Sequence, residues 1–218
     1  MYSASVTSAS GAGQTDNNAV TVHSNMDFGQ VMTINGVIGA GAAAVNVSAA
    51  GTYFGGNSKA AIEGAGTIEN INGHIRVYTT GITRAIGAAA SVAGGAAGVN
   101  ASIAMAINRS HAETYIGREV IINAPSSNVN VFHNITAEAR AYNVAVSGGA
   151  AAVNASVVLI INNFQAHSWI GHTSDQNVSA GNGMLTADQI TVKANANTIT
   201  EGIGLGVAAG LVAGNGLV

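Results

Sequence analysis

The chain has no cysteine, one proline and few aromatic residues, 5% of 218. Without cysteine there is neither a disulfide framework nor a thiolate metal site. That absence is compatible with export. Charge is equally scarce, at 8%, where an ordinary globular domain carries about 25%. The seven Lys and Arg are spread from Lys59 to Lys193 and the net charge is −3. With no basic patch to meet phosphates, nucleic acid is not an expected partner.

Two stretches, 28–58 and 85–108, hold no formally charged residue, and each is long enough to cross a bilayer as a helix. Both are rich in Gly, Ala, Ser and Asn and alternate with a period of two, so no membrane-spanning segment is expected. After Met1 comes "YSASVTSASGAG", which has neither the basic nor the apolar region of a signal peptide. The final "VAAGLVAGNGLV" stops inside a repeat, so the chain reads as a segment of a longer one with an added Met1.

What is abundant is small residues, including 29 glycines, and they recur in phrases. "GAGAAAVNVSAA" at 39–50 returns as "AGGAAGVNASIAMAIN" at 93–108 and as "SGGAAAVNASVVLIIN" at 147–162. The asparagine of each phrase falls at Asn46, Asn100, Asn154 and, in a weaker copy, Asn215, at intervals of 54, 54 and 61. An isoleucine follows the first three by sixteen residues, at Ile62, Ile116 and Ile170. Pairs of β-branched residues keep the same beat at Val20/Val22, Ile75/Val77, Val129/Val131 and Ile190/Val192. The seven extra residues of the last interval lie between Ile170 and Ile190, in a polar stretch, as loops on stacked scaffolds absorb insertions.

Within each copy Val99, Ala101, Ile103, Met105 and Ile107 alternate with Asn100, Ser102, Ala104, Ala106 and Asn108. One face is apolar and the other small and mixed, which is a strand pattern. Alanine favours helix, but glycine pairs at 94–95 and 148–149 and β-branched residues oppose it. No unit has enough large side chains to stand alone, and stacking would pair the strand edges. The fold expected is all-β: a β-solenoid, parallel and β-helix-like, of stacked repeats of about 54 residues. The units run 19–74, 75–128, 129–189 and a partial 190–218 in one elongated domain. The alternative is an antiparallel hairpin stack turning at the glycine pairs.

The succession "GAAAVN(A/V)S", "A-x-(T/S)-x-IG", "(I/V)-x-V" resembles the repeat regions of large bacterial filamentous adhesins, most of all the leukotoxin-type ones. The resemblance runs from about Ala19 to Val218 and departs in the first copy, where Glu63 replaces the glycine seen at Gly117 and Gly171. It implies a secreted or surface-exposed passenger of the autotransporter or two-partner type. The passenger would be a structural stalk displaying loops toward a host glycan or cell-surface protein. Enzyme activity on polysaccharide and a cytolytic role are the alternatives.

No catalytic residue, cofactor or metal is expected. The six histidines read as scattered surface residues, with His167, His172 and Asp175 the nearest to a metal-ligand grouping. No carboxylate pair is spaced for acid–base work. No phosphate loop or calcium nonapeptide is present. Asn46, Asn100 and Asn154 each open an N-x-S sequon. Their strand register instead predicts a ladder with Asn215, each amide bonding its neighbour along the stack. Tyr115 and Trp169 precede the isoleucine marker and alternate away from its face. With His172 and Asp175 they form an expected contact surface beside a displayed loop at 172–183. Unpaired sheet ends predict self-association.

Overall fold

The two-residue alternation is realised almost throughout the chain. The computed structural model describes residues 4–8, 18–69, 73–172 and 183–218. Nine strands account for nearly all of them: β1 (Ala4–Ser8), β2 (Asn18–Ile62), β3 (Gly66–Glu69), β4 (His74–Gly117), β5 (Val120–Gly148), β6 (Ala151–Asn162), β7 (Gln165–His172), β8 (Met184–Ala209) and β9 (Val212–Leu217). There is no helix among the described residues. All nine join one sheet system, and every ladder is parallel except that of β1, which lies antiparallel on residues 20–24 of β2. Parallel ladders correct the alternative of stacked antiparallel hairpins.

The register is regular. From Gln30 to Ile62, every residue of β2 but Ala42 pairs with the residue 54 positions on in β4. β4 pairs at the same offset with β5, β6 and most of β7. From Asn128 onward β5 pairs with β8 at an offset of 61, as β6 does with β9. The chain therefore lies in successive passes: β2, then β4, then β5 from Val129 through β7, then β8 and β9.

A pass is not one straight ribbon. In β4, Thr114 Oγ1 bonds Thr79 Oγ1 at 2.9 Å, Asn108 Nδ2 donates to Thr83 Oγ1 at 3.0 Å, and Asn100 Nδ2 reaches Ser91 O at 3.5 Å. Residues 79–93 thus face 100–114 through their side chains, and the chain reverses near Gly95. The reversals stack, because Gly41 pairs with Gly95. Gly95 and Gly149 have φ of +146° and +148°, a region that L side chains rarely occupy. A Cβ on either would overlap the carbonyl oxygen of the glycine one pass below.

Each pass therefore has an outgoing arm, a returning arm and a short closing segment such as Val120–Ala124. Where the closing segment opens the cross-section, Ile75, Val77, Ile116, Val120, Ile122, Val129 and Val131 form a core of large aliphatic side chains. Farther out the two arms face each other directly, and their interior is Ala85, Ala89, Ala104, Ala106, Ala139 and Ala141 with one ring, Phe54. Bulk on one arm is met by its absence on the other. A Cβ on Gly202 would stand 2.9 Å from Ile160 Cδ1, and one on Gly204 would stand 2.7 Å from Leu217 Cδ1. The face that alternation marks as apolar is accordingly the outer one. Asn100, Ser102, Ala104 and Ala106 are buried, while Val99 and Ile103 are exposed.

Candidate functional site

The most regular polar feature is the asparagine column. Asn46, Asn100, Asn154 and Asn215 are paired in register, and the first three are 7%, 1% and 2% exposed. No glycan could reach them in the folded chain. Their bonds differ from the expected ladder. Asn46 Nδ2 donates to Val92 O, Asn100 Nδ2 to Val146 O and Asn154 Nδ2 to Val207 O. Each amide thus crosses the interior to the facing arm of the next pass instead of bonding its neighbouring amide. The reason is the parity of the arms: the side chain points across a narrow interior lined by backbone carbonyls, each with a second lone pair to offer.

Other residues repeat the device. Thr52 Oγ1 donates to Ile86 O at 2.7 Å, Asn108 Nδ2 to Glu138 O at 3.2 Å and Asn162 Nδ2 to Ile199 O at 3.1 Å. Asn143 Nδ2 donates to Ser102 O at 2.7 Å. Buried bonds of this kind contribute about 1 kcal/mol each, and an orphaned partner costs about 1–3. Asn108, Asn143 and Asn162 were not singled out by the repeat. Asn108 and Asn162 share a column, but the first pass has Phe54 there.

The aromatic surface is placed differently from expectation. Tyr115 and Trp169 stack with ring centroids 5.8 Å apart. Lys59 Nζ lies 5.0 Å over the Tyr115 ring, and the Tyr115 hydroxyl donates to Glu63 Oε1. Tyr115 does lie on the outward side of its strand, but neighbours from the passes on either side cover it to 1% exposure. It is not a contact residue; Trp169 is half-buried. The side chain of His172, and Asp175 with most of the 172–183 loop, lie outside the described residues.

The histidines are not all superficial. His133 is fully buried between the arms, two residues beyond Val131 and so on the same face. Its Nδ1 lies 2.8 Å from Ser168 Oγ. Burial, then the charge of His167, holds its pKa below the usual histidine value. His111 and His167 stand diagonally with ring centroids 5.4 Å apart, and His111 Nε2 lies 3.0 Å from Glu113 Oε1. Among the described residues no three His, Asp or Glu side chains gather as a metal site.

On the outer face of the outgoing arm, at its start, is an open groove of about 390 Å³ lined by His74, Arg76, Asn130, Phe132, Thr191 and Lys193. His23, Tyr78 and Phe132 stack along it at 4.2 and 5.1 Å, and Arg76 leans over the last two rings. His74 Nδ1 accepts the Asn128 N–H at 3.0 Å, so the neutral ring carries its hydrogen on Nε2. Among the described residues no carboxylate lines the groove. Farther along the same arm, Glu138 takes Arg84 at 3.1 Å and Arg140 at 3.4 Å, and Arg140 also meets Glu201 at 3.4 Å.

Among the described residues no helix is long and apolar enough to cross a membrane. No protein-family model matches the chain, and neither a curated protein nor a solved structure matches it.

Proposed function

We propose that the chain is a structural repeat segment of a secreted or surface-exposed bacterial adhesin or toxin passenger. In this reading the passes are coils of a parallel β-solenoid with a repeat of about 54 residues. The observation that carries it is the in-register pairing of copies together with amides that tie each pass to the next. Such a body is lengthened by adding coils and stiffened by every one. Its role is mechanical rather than catalytic: to hold a contact surface away from the cell.

Each coil adds about 4.8 Å along the stack. Ten inserted copies of residues 75–128 should lengthen the particle by about 48 Å at constant cross-section, measured by electron microscopy. A particle that grows in all three dimensions would refute the solenoid. Antibody against the chain should label intact cells carrying the parent protein; labelling only after permeabilisation would refute the surface assignment.

Contact with a host glycan or cell-surface protein belongs, in this reading, to the outer surface. The groove of Arg76, Lys193, His74 and Phe132 suits an anionic saccharide, since its cations face an aromatic stack with no acid among the described residues that line it. Lys193→Gln should lower retention on carboxylated glycans several-fold; unchanged retention assigns the contact elsewhere.

A further inference from the structure

The interior of the arms is mostly small and polar, so most of their large aliphatic side chains are turned outward, on both sides of a thin double layer. On the returning arm the outer columns include Val45 at 73% exposure, Val47 at 65%, Val99, Ile103, Val153 and Leu159. The outgoing arm presents Ile34, Ile38, Ile203 and Leu205 in the same manner. No charged residue interrupts these columns between Arg84 and Arg109 in the second pass, or after Glu201 in the last. We propose that these two outer faces seat a second copy of this chain, face to face, so that coils associate sideways as well as along their axis.

The area is the first argument. About ten residues at ~3.3 Å, over four passes at ~4.8 Å, give each face roughly 600 Å². That is the upper end of the largest apolar patch on an ordinary monomer, about 300–600 Å². A pair of such faces buries about 1,200 Å², the lower limit for a specific stable interface. Every further coil adds about 160 Å² per partner, so the contact strengthens with length.

Chemistry selects the occupant. A copy brings the same uncharged surface and the same column spacing, so its ridges can pack between these as two sheets do. The ion pairs of Arg84, Glu138, Arg140 and Glu201 are satisfied within one chain and lie beside the face. They set no repulsion against a like partner. A lipid bilayer would also cover apolar faces, but a stack of coils always has two open strand edges. Unpaired backbone groups in hydrocarbon cost several kcal/mol each. Because the layer is apolar on both sides, pairing one face leaves the other free for a further copy, which gives layered bundles.

The test is sedimentation of the complete chain over a wide concentration range. Dimers and larger species are expected, increasing in sulfate, which strengthens apolar association. Val99→Lys with Val153→Lys, which charges only the returning-arm face, should lose the larger species and stop at dimers paired through the outgoing-arm face, with an unchanged circular dichroism spectrum. If that pair misfolds, Val99→Thr with Val153→Thr keeps the β-branching and should weaken association through that face at least about tenfold, because each swap puts a hydroxyl where a methyl would be buried. Asn134→Lys, on the outer face near the core of large aliphatic side chains, should associate as the parent does. A parent chain monomeric at every concentration overturns the proposal. So do valine variants that associate undiminished, and a monomeric parent that co-sediments with phosphatidylcholine vesicles. None of these outcomes alters the length added per repeat, so the solenoid reading stands or falls separately.

Discussion

Each pass has two ends that bury opposite kinds of residue. Near the closing segment Ile75, Val77, Ile116, Ile122 and Val129 point inward and Arg76, Asn130 and Thr191 point outward. Toward the glycine reversals Asn100, Ser102, Ala104 and Asn143 point inward and Val99, Ile103 and Val144 outward. Both ends obey the same alternation, and what differs is the width between the walls. Three segments leave room for β-branched side chains on every wall, whereas two facing arms are lined mostly by alanine, serine, glycine and amides that bond across the gap, with bulk such as Ile160 set against a glycine such as Gly202. Hydrophobicity predicts the inside at the wide end; side-chain volume and hydrogen bonding predict it at the narrow end.

The narrow end should be least tolerant where backbones meet. Gly95→Val adds a Cβ against the Gly41 carbonyl oxygen at a φ of +146°. Strain and overpacking together should cost about 3 kcal/mol or more, read as a collapse of the melting transition. An unchanged melting temperature would show that the reversal is wider than described. At the wide end, Ile75→Ala should cost about 2–5 kcal/mol by cavity formation, against about 0.5 or less for Val99→Ala on the exposed outer face. Equal losses would erase the contrast between the two ends. Asn100→Leu should cost about 1–3 kcal/mol, because it orphans interior groups and overfills a narrow gap. Double-mutant analysis with Asn154→Leu should show coupling, as the two positions adjoin in register. A stable Asn100→Leu chain would mean that the amide bonds contribute nothing.

Much of this was legible in the residues. The spacing of Asn46, Asn100 and Asn154 marks the pairs that later meet in register, and the β-branched doublets mark the wide core. The all-β class and the predominance of parallel pairing also follow the pattern. The inward direction of the asparagines could be read from their parity with Ile62, Ile116 and Ile170, all on the buried side. Their partners could not, since Val92 and Val146 offer only backbone carbonyls, which carry no sequence signal. Tyr115 misleads for a related reason: alternation tells which side a residue leaves from, but burial there depends on Trp169 and Glu63, which come from other passes. The uncharged runs 28–58 and 85–108, with glycines alternating at 202, 204 and 206, were the available clue to narrow arms with apolar outer faces. Read by hydropathy alone, the same runs suggest a membrane.

His133, where the two arms leave the wide core, gives the gentlest probe of the space between them. Burial holds its folded pKa below the unfolded value of about 6.5, so the folded chain resists a proton that the unfolded chain accepts. The contribution of this residue is therefore intact above pH 6.5 and lost progressively as the pH falls toward its folded value. The groups around it are Thr79 in the pass below, Ser168 on the facing arm and the exposed His167. Of these only His167 is ionisable, and its charge lowers the His133 pKa in the same direction as burial. The melting temperature should decline below pH 6.5. The decline should flatten in His133→Thr, which repeats the residue that occupies this register position one pass below. If the two chains keep parallel pH profiles, the interior between the arms is solvated, and the dry, narrow space inferred from its alanines and amides is wrong.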